Sequence, residues 1–280
     1  MLSQRGYHCA ILEKHPACQE KTCGGLMPYK AVKLLRQIGL SPDSFQPGHY
    51  ASILHYYSVW DEKENVFSYS HGKQGIGLRR VVLDSYLLDQ AVSAGAEILY
   101  GCYVRDIAYL HGRVSVCGIE GRALVIACGA GGLAQPYRYR QPEGQSFGIS
   151  IQVSGQTDLD PNSVYFWYPD EKENDYRWAI PIGPSLWNIG MWFQHPRATM
   201  VSEYEQAEEI IRQRYFSSWD IVRQRHGAFC GHVDMSGVLP FPHVCIGDAA
   251  GVNAATTGEG IYQAIDSAMR SIDSIQELMR

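Results

Sequence analysis

A chain of 280 residues, close to half of them hydrophobic, can bury the core of one large domain or two modest ones. Its formal net charge of −5, with acidic and basic residues interspersed, argues against a phosphate-binding surface, so nucleic acid is not an expected partner. The eight cysteines are scattered without a Cys-x-x-Cys pair, which speaks for buried thiols over a disulfide framework, and no metal is expected.

Met1-Leu-Ser-Gln-Arg-Gly6 looks like the end of a helix stopped by Gly6, so the chain begins in mid-element. Tyr7-His-Cys-Ala-Ile-Leu-Glu13 follows as an apolar run of strand length ending in a carboxylate, the mark of a buried parallel strand. Residues 28–39 have helical spacing, with Ala31, Leu34, Leu35 and Ile38 on one face, Pro28 at the start and Gly39 at the stop. Residues 82–95 repeat the pattern ahead of Gly95. Ala123-Leu-Val-Ile-Ala-Cys128 reads as a second buried strand, followed by Gly129, Gly131 and Gly132. Across 145–195, Tyr, Trp, Ile and Val alternate with polar residues in short strands, as in an antiparallel sheet. A charged helix is expected over 201–214, a third buried strand at Val244-Cys-Ile-Gly247, and one long helix from Gly260 to Leu278.

No apolar run approaches the roughly 20 residues of a membrane helix. The N-terminus also lacks a signal peptide's hydrophobic stretch, so the chain reads as cytoplasmic with peripheral membrane contact left open. The element order implies an α/β fold, α+β overall. A Rossmann-like domain, discontinuous in sequence (1–45, 75–140 and 225–280), would carry an inserted antiparallel substrate domain (46–74 and 141–224). Ligands of such folds bind at the carboxyl ends of the parallel strands, where this chain concentrates its glycines.

The most informative stretch is Ile246-Gly-Asp-Ala-Ala-Gly-Val-Asn-Ala-Ala-Thr-Thr-Gly-Glu-Gly-Ile261. Its small residues let backbone approach a ligand, and Asp248 can accept hydrogen bonds from a polyol. Gly258 and Gly260 open a helix whose free N–H groups would stabilise an electron-rich ring. Glu13, at a strand end, suits a ribose, although a solvated strand-end carboxylate is the plainer reading. Tyr165 and Trp167 share one strand face and can line one cavity, or be ordinary sheet core. His55, His71, His195, His232 and His243 show no spacing that suggests a role.

The 247–251 segment resembles the Gly-Asp-Ala-Ala-Gly motif of FAD enzymes related to para-hydroxybenzoate hydroxylase, and more closely the geranylgeranyl reductase family. Thr22-Cys-Gly-Gly-Leu26 is similar to that family's Cys-Gly-Gly element, Arg80-Val-Val-Leu-Asp84 to its Arg-x-x-Phe-Asp helix start, and Tyr165-Phe-Trp-Tyr-Pro169 to its Tyr-x-Trp-x-Phe-Pro strand. The resemblance implies FAD held by Glu13 at the adenosine ribose and Arg80 at the flavin or diphosphate. Asp248 would hold the ribityl–diphosphate region, and Gly258, Glu259, Gly260 and Ile261 the pyrimidine edge. Cys23, Gly24, Gly25 and Gly129 would border the ring region, with Cys23 the candidate catalytic residue.

The implied activity is reduction of carbon–carbon double bonds in an apolar, prenyl-like substrate, with electrons from NAD(P)H, ferredoxin or another flavoprotein. Two alternatives are an aromatic monooxygenase and a truncated, non-catalytic flavoprotein remnant. Two departures stand out. Cys128 replaces an aspartate usual in the family, and the phosphate-binding strand and glycine loop would fall before Met1. Larger family members also continue beyond the helix at 261–278.

Overall fold

A computed structural model describes all residues except 42–43, 47, 61–62, 70–72, 130–145, 169–174, 231–238, 253–257 and 280. The chain divides into two compact units, one of Met1–Gln19, Asp84–Glu143 and Gly231–Arg280, the other of Glu20–Leu83 and Gly144–Cys230.

The first unit holds two parallel strand pairs. Ala10–Glu13 pairs with Glu97–Tyr100, and Val125–Ile126 with Val244–Cys245. All three expected strands are therefore present and parallel-paired, though shorter than their apolar runs, and of their residues only Ile126 is buried. A three-stranded antiparallel meander, Ile107–Leu110, Arg113–Val116 and Ile119–Gly121, adds to the unit. Ile126, Leu239 and Ala249 form a small core with Ile107, Leu124, Phe241 and Cys245 packed against it. The long C-terminal helix is instead two, Ile261–Arg270 and Ile272–Leu278. The break falls at Ser271, whose hydroxyl donates back to the Ala268 carbonyl at 3.1 Å and competes with the helical ladder.

The second unit is built on a seven-stranded sheet in the order Asp220–Cys230, Ser146–Ser154, Leu186–Phe193, Tyr176–Gly183, Ser163–Tyr168, His55–Trp60 and Lys63–Ser68. Its pairs are antiparallel except Ser163–Tyr168 with His55–Trp60, which run parallel, so the expected antiparallel sheet is mixed. The parallel pair arises because a hairpin from early in the chain adds at the edge of a meander formed much later. Side chains alternate across the sheet. Ile149, Ile151, Val153, Ile189 and Met191 face the helix Met200–Tyr215, which contributes Tyr204, Ala207 and Ile211 to the contact. The opposite face carries Val164, Trp178, Ile180, Ile182 and Trp192.

Against that opposite face lies a second sheet, Leu26–Met27, Gly75–Leu78 and Tyr50–Ile53, all antiparallel. The approach is close: a Cβ on Gly77 would stand 1.9 Å from the Pro181 carbonyl oxygen. Segments 20–45 and 75–83 consequently fold with the large sheet, whereas the sequence reading grouped them with the parallel strands. The helix Tyr29–Gln37 buries Ala31, Val32 and Leu35 and stops ahead of Gly39, at φ +78°. The helix Arg80–Ser93 ends ahead of Gly95, at φ +94°. Among the described residues, no helix is long and apolar enough to cross a membrane.

Candidate cofactor site and active site

In the first unit, the strand Val244–Cys245 runs into a single turn of 3-10 helix, Gly247–Ala249, and 261 begins the helix Ile261–Arg270. Gly247 is needed at the junction, with φ +60° and its Cβ direction facing Ala264 at 3.4 Å. Its N–H donates to Ser267 Oγ at 2.9 Å, which ties the turn to the second turn of the helix. The position a Gly260 side chain would occupy is 3.3 Å from Asp248 Oδ1. The carboxylate thus overlies the helix start. Gly258 has φ +63°. Gly247, Asp248, Gly260 and Ile261 are therefore brought together, while 253–257 lie outside the described residues.

Glu13 closes the strand Ala10–Glu13, and its carboxylate accepts the His15 N–H at 2.9 Å on Oε1. Gly129 adopts φ +70° with open space on its Cβ side, just after the strand Val125–Ile126 and beside exposed Cys128. Both residues are at the carboxyl ends of parallel strands, as expected of ligand positions in such a fold.

In the second unit, Cys23, Gly24 and Gly25 form a turn leading into Leu26–Met27. Gly25 has φ +78° and approaches the other strand so closely that a Cβ would lie 2.3 Å from the Leu78 carbonyl oxygen. Its carbonyl accepts the Leu78 N–H at 2.9 Å. Gly24 lies flat on the large sheet, where a Cβ would be 2.7 Å from Ile180 Cδ1. The Gly25 N–H points at Cys23 Sγ, 3.4 Å away, and the Cys23 carbonyl accepts from Asn188 Nδ2 at 2.9 Å. Arg80 begins its helix with its N–H donated to Glu20 Oε1 at 2.8 Å, while the neighbouring Arg79 pairs with Glu20 Oε2 at 3.1 Å. Glu20 is thus the acidic cap of that helix.

The aromatic residues divide between the two faces of the large sheet. Tyr165 and Trp167 do share a face, but it is the one packed on the helix Met200–Tyr215. They belong to a column of near-parallel rings: Tyr57 on Tyr165 at 4.9 Å, Tyr165 on Trp167 at 5.9 Å and Trp167 on Tyr215 at 5.4 Å. Burial pushes the Tyr165 phenol up, and its oxygen accepts the Asp160 N–H at 2.9 Å. The face toward Cys23 carries Tyr176, Trp178 and Trp192 instead. On the same side of the strands lie Ser150 and Gln152. Ser150 Oγ, Gln152 Oε1 and Trp192 Nε1 are buried without a hydrogen-bond partner among the described residues.

No protein-family profile matches the chain. It is 25% identical over 217 residues to digeranylgeranylglycerophospholipid reductase 2 of Methanothermobacter thermautotrophicus, covering 70% of this chain and 53% of that protein. It is 27% identical over 212 residues to digeranylgeranylglycerophospholipid reductase of Methanocella arvoryzae, covering 69% and 52%. In sequence the chain is thus similar to reductases of the geranylgeranyl type, at 25–27% identity. It spans about half the length of the curated relatives it matches.

Solved structures carry the same fold. A geranylgeranyl bacteriochlorophyll reductase-like protein from Thermoplasma acidophilum superimposes with a TM-score of 0.77 at 17% identity, covering 99% of this chain and 76% of that one. The halogenase PltM in complex with phloroglucinol and FAD gives 0.75 at 13% identity, covering 100% and 66%.

The resemblance to the geranylgeranyl reductase family bears on one motif. The Tyr-x-Trp-x-Phe-Pro pattern places proline five residues after tyrosine, whereas in Tyr165-Phe-Trp-Tyr-Pro169 it comes after four, and Pro169 lies outside the described residues. Tyr176-Arg-Trp-Ala-Ile-Pro181 keeps the full spacing, with Ile180 at the aromatic position, and presents Tyr176, Trp178 and Ile180 toward Cys23. Of the two readings of Tyr165 and Trp167, cavity wall and ordinary sheet core, their packing beside the helix Met200–Tyr215 favours the second. The spacing of the proline was the sequence signal that could have found Tyr176 and Trp178. Glu20 and Asn188 were also missed, and no local signal marks either.

Proposed function

We propose that this chain carries an FAD site and reduces carbon–carbon double bonds of an apolar, prenyl-like substrate. The observation that supports this best is Asp248 overlying Gly260 at the start of the helix Ile261–Arg270. The residues fit such a cofactor. In the first unit, Glu13 and Asp248 offer acceptors for ribose and ribityl hydroxyls. Gly258, Glu259, Gly260 and Ile261 lead into a helix start, whose positive dipole end stabilises an electron-rich edge. In the second unit, Arg80 supplies a cation, and Cys23, Gly24 and Gly25 form a turn without side-chain bulk beyond the thiol. When bound, FAD supplies the hydride for such a reduction.

The chain's own residues bind and orient the substrate. Tyr176, half-buried beside the core residues Trp178 and Trp192, offers an aromatic surface suited to an isoprenoid chain. The unpaired polar atoms of Ser150, Gln152 and Trp192 on the same face are the sort of sparse polar contacts that fix a ligand's orientation in an apolar site. Cys23 Sγ is the candidate holder of the proton that the second alkene carbon requires. NAD(P)H, a ferredoxin or another flavoprotein would supply electrons.

The test is the absorption spectrum of the purified chain with chromatographic identification of any released cofactor, followed by anaerobic turnover with a prenyl substrate. Bound FAD and a product gaining hydrogen at its double bonds are expected. A protein that stays colourless with added FAD refutes the proposal. Oxygen uptake stimulated by an aromatic compound would replace it with the monooxygenase reading.

A further inference from the structure

Asn188 lies in the strand Leu186–Phe193, opposite Ile180, and is only 1% exposed. Both ends of its amide are used: Oδ1 accepts the Trp178 indole N–H at 2.7 Å, and Nδ2 donates to the Cys23 carbonyl at 2.9 Å. The orientation of the amide is determined by chemistry. An indole nitrogen can only donate and a backbone carbonyl can only accept, so a flipped amide would set donor against donor and acceptor against acceptor. The place of the indole is also built in. A Cβ on Gly190 would stand 2.1 Å from Trp178 Cζ2, so glycine there lets the ring lie over the strand and reach Asn188.

We propose that Asn188 is the positioning residue of the turn at 23–25, holding the Cys23 carbonyl on the sheet so that the Cys23 sulfur keeps a single place beside the Gly25 N–H. The inference rests on the reading that the Cys23 face is the active one. Among the described residues the turn has few other ties. Gly24 and Gly25 bring no side chains, and the Leu78 N–H holds only the far end of the turn, at the Gly25 carbonyl. A side chain without a donor at 188 cannot make the bond: leucine lacks one, and aspartate would set a carboxylate against the carbonyl. The chain Trp178–Asn188–Cys23 thereby couples the aromatic surface to the thiol.

The experiment is alkylation of Cys23 by iodoacetamide, followed by peptide mass spectrometry, with Cys18 of the same chain as internal reference. Asn188→Leu is expected to raise the Cys23-to-Cys18 rate ratio about five-fold, the weight of one hydrogen bond of this kind. Trp178→Phe, which frees the amide to turn, is expected to raise it about two-fold, and carries the test should Asn188→Leu fail to fold by circular dichroism. In the flavin-loaded enzyme, Asn188→Leu should lower kcat about five-fold and leave KM within two-fold. A rate ratio unchanged in a folded variant overturns the proposal, as does a loss carried by KM alone. Alkylation needs no cofactor, so a raised ratio in a chain that binds no flavin sustains the positioning role and sinks the reductase reading. An unchanged ratio in an active reductase sinks the positioning role alone.

Discussion

Replacing Gly25 with alanine isolates the close approach on which the Cys23 turn depends. Gly25 and Gly39 both have φ +78°, but the Cβ direction of Gly39 is open for 4 Å, whereas that of Gly25 meets the Leu78 carbonyl oxygen at 2.3 Å and Ile182 Cγ2 at 3.1 Å. The left-handed backbone alone costs an alanine about 1–2 kcal/mol. Gly39→Ala should show that penalty and nothing more. Gly25→Ala adds the displacement of a strand backbone, and overpacking of this sort costs a further ~1–3 kcal/mol. The expected total, about 2–5 kcal/mol, is a large fraction of a typical stability of about 5–15 kcal/mol. All six tryptophans fall in the second unit, so intrinsic fluorescence during urea unfolding reports on the unit containing both glycines. The midpoint should fall further for Gly25→Ala than for Gly39→Ala at unchanged slope. Equal midpoints would show that the turn does not press on Leu78 and would undo the account of the Cys23 site.

Gly190→Ala would place a Cβ 2.1 Å from Trp178 Cζ2 and 2.7 Å from the Ile149 carbonyl oxygen. It should destabilise by about 1–3 kcal/mol and shift the tryptophan emission, and a silent variant would contradict the packing described. Tyr165→Phe removes the acceptor for the Asp160 N–H and should lower stability by about 1 kcal/mol with alkene turnover intact; lost turnover at full stability would return Tyr165 to the cavity.

Arg197, hydrogen-bonded to Glu203, holds that carboxyl down at about 2 against a usual 4.5, with Thr199 adding a second hydrogen bond. A depressed carboxylate stabilises the fold above its unfolded value, and that contribution is lost as pH falls from about 4.5 toward about 2. With the pair about one-third exposed, solvent screening reduces its worth to about 1 kcal/mol. Glu203→Gln should therefore be less stable than the parent at pH 7 and nearly equal to it near pH 2, in urea melts at each pH; a constant gap would contradict the ion pair.

Much of the fold was legible because burial writes periodicity into a chain. Ala10–Glu13, Val125–Ile126 and Val244–Cys245 betray themselves by apolar runs of strand length, the helices at 29–37 and 80–93 by their spacing and glycine stops, and the helix at 200–215 by its charged run. The turn at 247–249 was legible because few side chains tolerate such crowding, so its small residues are a direct imprint of backbone geometry. The same holds for Gly24 and Gly25.

What only the tertiary structure decided is which face of a strand meets what. Alternation places Tyr165 with Trp167 and Tyr176 with Trp178, but nothing in either stretch says that the first pair meets the helix Met200–Tyr215 and the second the Cys23 turn. Partners distant in sequence were equally silent. Asn188 reaches Cys23 across 165 positions, a contact that exists only once two sheets stack, and Glu20 reaches Arg80 across 60, beside the pairing of Leu26–Met27 with Gly75–Leu78. Local sequence determined the elements because helix and strand periods depend on neighbours along the chain. The site was decided by packing, since a hydrogen bond between distant residues leaves no periodic trace.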